Sequence, residues 1–276
     1  MSAADHIKNL GVYRAPEIVA HYAGLNNLTG CERLLFETHI KPGAALLDLG
    51  VGGGRTTPYL SSVASIYVGI DYSEEMICAC RIKFRMQRFE VADAADLSAF
   101  PSASSDAIVF SFNGIDYLVP DEKRRQCLRE CHRLLKVGGT LIFSTHNPRS
   151  LVVGWHWDWE SLRARARRAS AGSRLLIGLV LAALSCAKIA LALFRVGVES
   201  VPRALRRIKT RTFWSGEGYL FDPSHGGLWT HCAVPDRVIA ELGKLQFSFL
   251  EIEPEDHPRV SRIWRTRWYY YVFSKT

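Results

Sequence analysis

Between residues 44 and 146, short runs that are apolar at nearly every position alternate with longer stretches whose apolar residues recur every three or four. The short runs, AALLDLG, SIYVGID, FEVADA, SDAIVFSF and TLIFSTH, read as five strands. Being apolar on both faces, they predict a parallel sheet covered by helices on each side. Helices are expected from about Thr56, across SEEMICACRIKFRM with Ser73 as N-cap, and across DEKRRQCLRECHRLLKVGG, ended by Gly138 and Gly139. After a long interruption the pattern resumes. VPDRVIAELGK reads as a helix ending at Gly243, and FSFLEIE and the aromatic RWYYYVFSK read as the last two of seven strands. GCERLLFETHI reads as a helix before the first strand. The boundaries that follow are 1–40, helices preceding the sheet; 41–146, the α/β core; 147–233, an insertion; and 234–276, the last helix and strands.

At 276 residues, 48% of them apolar and 22% charged, the chain can bury one large core with an insertion. Charge changes the picture more than composition does. Of the net +8, residues 161–211 hold twelve Lys or Arg against one acid, Glu199, a local balance of +11 that leaves −3 elsewhere. The seven cysteines are scattered with no C-x-x-C, so reduced thiols and no metal are expected. The opening MSAADHIKNLGVYRAPEI has no apolar core of a leader peptide, and the expectation is a cytoplasmic protein.

The chemistry concentrates where the first strand ends. In LLDLGVGGGRTTPYL, Asp48 precedes four glycines in five positions, Gly50, Gly52, Gly53 and Gly54. A phosphate-cradling P-loop needs a Lys after its last glycine, and none is present. The dinucleotide pattern G-x-G-x-x-G counted from Gly50 fails at Arg55. The pattern that fits is D-x-G-x-G-x-G. A carboxylate at the mouth of the loop repels a pyrophosphate but attracts a sulfonium and an ammonium. With this motif and this order of elements, the chain resembles the class I S-adenosylmethionine (SAM)-dependent methyltransferases. SFNGIDYL and FSTHNP also look like segments of their small-molecule branch.

The resemblance implies a Rossmann-like sheet whose last strand runs antiparallel between the fifth and sixth, with SAM as cofactor. It implies that Asp71, closing the second strand, accepts from both ribose hydroxyls. Tyr72 and Met76 would flank the adenine, and Asp93 with the Ala94 amide would take its amino group. Ser111 to Asn113 would lie by the methionine moiety, and N-terminal helices carrying Tyr13 and Tyr22 would cover the cofactor. Asp71 read alone could instead cap the helix after it, and Asp93 could be a solvated turn acid. An acid after strand two also suits the ribose of NAD, so an NAD-dependent oxidoreductase is one rival. A non-catalytic membrane- or partner-binding module on the same fold is another.

Insertions after strand five overhang the cofactor pocket, so 147–233, read as helical, is where an acceptor should be recognised. It contains LLIGLVLAALSCAKIALALF, 175–194, twenty residues with one charge, Lys188. That is long enough to cross a bilayer. A single crossing would separate strands six and seven from the sheet they complete, so a span is excluded. A lid or a surface-lying amphipathic segment remains, the latter with arginines on anionic headgroups. Either implies a lipophilic or aromatic small-molecule acceptor. No stacking aromatics interleave the arginines, so nucleic acid is not expected. A base, if one is used, would come from His146 after strand five, Asp116 after strand four, or His225 and His231 where the insertion returns. Imidazole titrates nearest neutrality of the common side chains.

Overall fold

The computed structural model describes residues 9–148, 212, 215–222, 228–258 and 266–276. In chain order these give α1 (Pro16–Gly24), α2 (Gly30–His39), β1 (Ala44–Leu49), α3 (Thr57–Val63), β2 (Ala64–Asp71), α4 (Glu74–Lys83) and β3 (Arg88–Val91). There follow β4 (Ser105–Phe110), a 3₁₀ turn (Gly114–Tyr117), α5 (Asp121–Leu134), β5 (Leu135–His146), β6 (Glu217–Asp222), β7 (Leu228–Ala233), α6 (Pro235–Lys244), β8 (Phe247–Pro254) and β9 (Trp268–Lys275).

Seven strands form one sheet in the order β3-β2-β1-β4-β5-β9-β8, and β6 and β7 pair separately. The first five are mutually parallel, while β9 runs antiparallel to both neighbours, as expected from the sequence. The expected alternation of faces is explicit in the packing. Leu47, Leu49, Val68, Ile70, Ile108, Phe110, Leu141 and Phe143 pack on one side with α5 and α6. Their sequence neighbours Leu46, Tyr67, Ala107, Val109 and Ile142 pack on the other with α2, α3 and α4. Tyr270 and Tyr271 on β9 are both fully buried, one to each face, which is why the last strand is so aromatic.

Helix starts follow local chemistry. Thr29 and Glu32 form a capping box at α2, and the Ser73 hydroxyl accepts from Met76 N–H at α4. Two expectations need correction. The helix expected over DEKRRQCLRECHRLLKVGG, α5, stops at Leu134, not at the glycines. Leu135 is extended and pairs with Ser105, and its carbonyl accepts from Lys275 Nζ, so the sheet claims the residues through Gly139. The 147–233 insertion is not helical throughout: Glu217–Asp222 and Leu228–Ala233 form an antiparallel hairpin. Its short alternation is overshadowed by the arginine- and leucine-rich sequence before it. The apolar run 175–194 and His225 lie outside the described residues. Among the described residues, no helix is long and apolar enough to cross a membrane.

Candidate active site

The loop from β1 to α3 turns back over the end of β2. Val51 N–H donates to the Ile70 carbonyl and Gly52 N–H to Asp71 Oδ2, both at 2.9 Å. Gly50, Gly52 and Gly54 have φ of +60°, +53° and +80°, a region that disfavours other residues. A Cβ on Gly52 would meet only the Tyr22 ring, at 3.8 Å, inside the pocket, so the missing side chain leaves a cradle open. Gly53, which no motif position singles out, matters for another reason. A Cβ there would stand 2.3 Å from backbone atoms of Tyr22 and Ala23, so glycine lets α1 lie against the loop. Gly54 does not line the pocket. Its Cβ would strike Phe84 at 2.4 Å, and the position serves packing on α4.

The pocket lies at the carboxyl ends of β1, β2 and β4, where ligands bind in open α/β sheets. Asp48, Asp71 and Asp93 line it together with Tyr22, Gly50, Gly52, Tyr72, Met76, Ala94 and Ser111. Asp48 Oδ2 accepts from Thr56 Oγ1 at 2.6 Å and Tyr67 OH at 2.9 Å. Burial nevertheless pushes its carboxyl up to about 6. Asp71 accepts from Gly52 N–H on one oxygen and Ser73 N–H on the other, both at 2.9 Å. Burial raises it too to about 6. The Tyr72 N–H also favours this carboxylate, which has about four acceptor sites, so holding the helix start leaves room to accept from a ligand hydroxyl. Asp93 accepts from Ala95 N–H at 2.9 Å and from Lys123 Nζ at 2.6 Å.

Arg55 is the only base among the lining residues, and its charge is spoken for. Its guanidinium forks onto the buried Glu32 carboxylate and lies 3.9 Å over the Phe112 ring, while Glu32 also accepts from Tyr270 OH at 2.9 Å. Three acids facing the cavity suit a cationic ligand and oppose a pyrophosphate, which weighs against a nicotinamide dinucleotide. Ser111 Oγ is buried at the pocket wall with no protein partner. The open glycine cradle and the acidic lining together fit SAM. The capping-box pattern Thr29-x-x-Glu32 was the available signal for the lock on Arg55, although its second partner, 23 residues away, was not legible.

Beside this pocket, Asp116, His146 and His231 come together from the 3₁₀ turn, β5 and β7. Asp116 is fully buried. Its Oδ2 accepts from His146 N–H at 2.7 Å and from His146 Nδ1 at 2.8 Å, and its Oδ1 accepts from Thr145 Oγ1 at 2.6 Å. Burial would raise this carboxyl, but its bonds to His146 and His231 outweigh burial and hold it below the ordinary carboxylate range. Asn113, in left-handed backbone, does not line the pocket. Its N–H donates to Ser144 Oγ at 2.7 Å, and its Nδ2 faces His146 Nε2 at 3.4 Å. Tyr117 forms the partition: it lines the pocket and meets the His146 ring edge-on at 6.0 Å. Tyr13 packs against Tyr117, Tyr22 and Tyr72, closing the pocket with aromatic surface. Among the described residues no cluster of His, Cys, Asp and Glu could hold a metal ion.

Residues 47–143 match the family model described as a methyltransferase domain. A protein of Mycolicibacterium smegmatis named "Probable S-adenosylmethionine-dependent methyltransferase" is 30% identical over 138 residues, 50% of this chain and 52% of its own length. A ubiquinone biosynthesis O-methyltransferase of Xanthomonas campestris pv. campestris is 32% identical over 110 residues, 38% of this chain and 44% of its own. The chain thus spans about half the length of the curated relatives it matches. Among solved structures, a SAM-dependent methyltransferase from Methanosarcina mazei superposes with a TM-score of 0.56 at 17% identity, covering 87% of this chain and 96% of that one. The CcbJ methyltransferase from Streptomyces caelestis gives 0.59 at 14% identity, covering 96% and 98%. At such identities these two establish the fold.

Proposed function

Because residues 47–143 form a class I SAM-dependent methyltransferase domain, we propose that the chain transfers a methyl group from SAM to a hydroxyl of a small lipophilic or aromatic acceptor. The observation that carries this reading is the Asp116–His146 pair standing against Tyr117 at the edge of an acid-lined, glycine-cradled pocket. In it, Asp71 would hold the ribose diol, Asp93 and the Ala94 amide the adenine edge, and Asp48 the cationic methionine end. Tyr22, Tyr72 and Met76 would enclose the rings, Gly50 and Gly52 would admit the backbone, and Ser111 would offer its unpartnered hydroxyl. When bound, SAM supplies an electrophilic methyl on a sulfonium and leaves as S-adenosylhomocysteine.

The remaining chemistry belongs to the chain. Since Asp116 accepts from His146 Nδ1, the imidazole is fixed with its proton on that nitrogen and its lone pair on Nε2. Nε2 would take the proton released as an acceptor O–H becomes O–CH₃. Positioned proton removal of this kind contributes about 10²–10⁴-fold, and alignment against the aromatic wall contributes the rest. Asn113 Nδ2, which faces Nε2 at 3.4 Å, would give way there to the acceptor hydroxyl. The aromatic lining of Tyr13, Tyr117 and Phe112 and the apolar 175–194 sequence support a lipophilic acceptor. The flanking arginines support peripheral contact with an anionic membrane surface, which flotation with anionic liposomes at low salt would test.

The experiment is transfer from methyl-labelled SAM into an extract of source cells, partitioned between organic solvent and water. Label in the organic phase is expected. Label confined to the aqueous phase would refute the lipophilic acceptor, and no label in any fraction would refute the transferase reading.

A further inference from the structure

His231 contributes nothing to the pocket wall, yet it is almost fully buried on β7 with a carboxylate beside each ring nitrogen. Nδ1 lies 3.5 Å from Asp116 Oδ1, and Nε2 lies 3.7 Å from Glu217 Oε1 on the paired strand β6. Neither nitrogen has a hydrogen-bond partner, so these two carboxylates, both within ion-pair distance, are the charged groups the ring faces. A neutral imidazole has one N–H and one lone pair. Whichever tautomer it took here, its lone pair would face a carboxylate oxygen. Only the doubly protonated ring presents a donor to each side.

Resting on the reading of His146 as the base, we infer that His231 is a positioning residue: an imidazolium shared by Asp116 and Glu217 that supplies the buried carboxylate with a counter-charge. The consequence follows from charge balance. Asp116 is fully buried, and an ionised carboxylate there needs a cation. If His146 were the sole candidate, it would be held protonated and could accept no proton. With His231 carrying the positive charge, Asp116 stays ionised while His146 stays neutral, donating Nδ1–H and keeping its Nε2 lone pair. Three hydrogen bonds and one ion pair then converge on one carboxylate: Oδ2 receives both groups of His146, and Oδ1 receives Thr145 and faces His231 at 3.5 Å. The hairpin is thereby anchored to the 3₁₀ turn through the group that orients the base.

The charged surroundings of His231 come from three elements. Asp116 on the turn and Glu217 on β6 favour the imidazolium. Arg124 on α5 opposes it, although Arg124 is itself bonded to Glu241 and Asp121. Tyr219 on β6 meets the ring edge-on at 5.9 Å, and Cys232 is its neighbour on β7. Burial alone would lower its pKa, and the two carboxylates reverse that and raise it above the ordinary 6.5.

The test is ¹H–¹⁵N correlation of the histidine ring nitrogens in the full-length labelled protein, with no acceptor needed. At pH 7, His231 should show both nitrogens protonated. Glu217→Gln, at a half-exposed position, should lower the pH at which His231 titrates by about one unit, since a neighbouring opposite charge is worth roughly that or more. A neutral His231 in the native protein, or a titration that Glu217→Gln leaves unmoved, overturns the inference. His231→Gln keeps a donor to Asp116 but no charge, so the acid limb of the transfer rate should move to higher pH. A uniform loss at every pH would instead mark a packing role and also overturn it. If the native protein transferred no methyl at all, the methyltransferase reading would fail, while the ring-nitrogen spectra would still decide the charge on His231.

Discussion

Asp48 should make the free protein less stable than it could be, and replacing it with Asn exposes this. Its carboxyl is raised from the ordinary 3.8 to about 6 because burial disfavours the charged form. The native carboxyl therefore keeps its proton up to about pH 6, whereas the unfolded one releases it near 3.8. Stability consequently falls as pH rises through that window and stays reduced above it. At about 1.4 kcal/mol per pH unit, the buried charge costs at most about 3 kcal/mol at pH 8. Asn removes the charge without removing bonds that matter, since Thr56 and Tyr67 both donate to the same oxygen, Oδ2. Asp48→Asn should thus raise the melting temperature at pH 8 by up to roughly 6–12 °C and should change little near pH 4. The same substitution should weaken S-adenosylhomocysteine binding by roughly 10- to 100-fold, the worth of one charged hydrogen bond. Differential scanning fluorimetry across pH, paired with calorimetric titration, reads both effects. A variant less stable than wild type at both pH values, or one with unchanged affinity, would refute the reasoning.

The pocket should also sense pH directly. With Asp48 and Asp71 both raised to about 6, S-adenosylhomocysteine affinity should fall by about tenfold per pH unit per carboxyl below pH 6, and a flat profile from pH 8 to 5 would count against their contact with the ligand. Gly53→Ala should push α1 off the loop and cost ligand affinity more than thermal stability, because the clash is with the Tyr22 and Ala23 backbone. Equal affinity by calorimetry would show that α1 does not cover the ligand. His146→Gln should lower the transfer rate by about 10²–10⁴-fold with ligand affinity preserved, and an unchanged rate would remove it as base. Glu32→Ala should destabilise the fold by about 3–5 kcal/mol, because it strands Arg55 without its buried partner. Denaturant titration within about 1 kcal/mol of wild type would contradict that.

What the sequence disclosed and what it hid follow from range. The five parallel strands were legible because each is continuous apolar sequence, and β9 because four aromatics in a row, Trp268 to Tyr271, must be buried on both faces. Asp48, Asp71 and Asp93 were legible as pocket acids because their positions at strand ends follow from the strands alone. The Asp116–His146–His231 cluster was not, because its members lie 30 and 85 residues apart and meet only when β7 returns beside β5. Glu217 had no signal at all without the hairpin register, in which Glu217 pairs with Ala233 at the far end of the strand from Leu228. Gly53 looked like one more flexible glycine, and only the proximity of α1 shows why a side chain is excluded there. The helix-to-strand switch at Leu135 was misplaced because glycine is a strong stop signal, and the earlier stop depends on pairing with Ser105.

The central claim is that this acid-lined pocket binds SAM through Asp71. Calorimetric titration of the purified protein with S-adenosylhomocysteine and with NAD, repeated on Asp71→Ala, tests it most directly. S-adenosylhomocysteine should bind the native protein, NAD should not compete, and Asp71→Ala should abolish binding while the protein remains folded by circular dichroism. Comparable NAD affinity, or undiminished S-adenosylhomocysteine binding by the folded variant, would contradict the account.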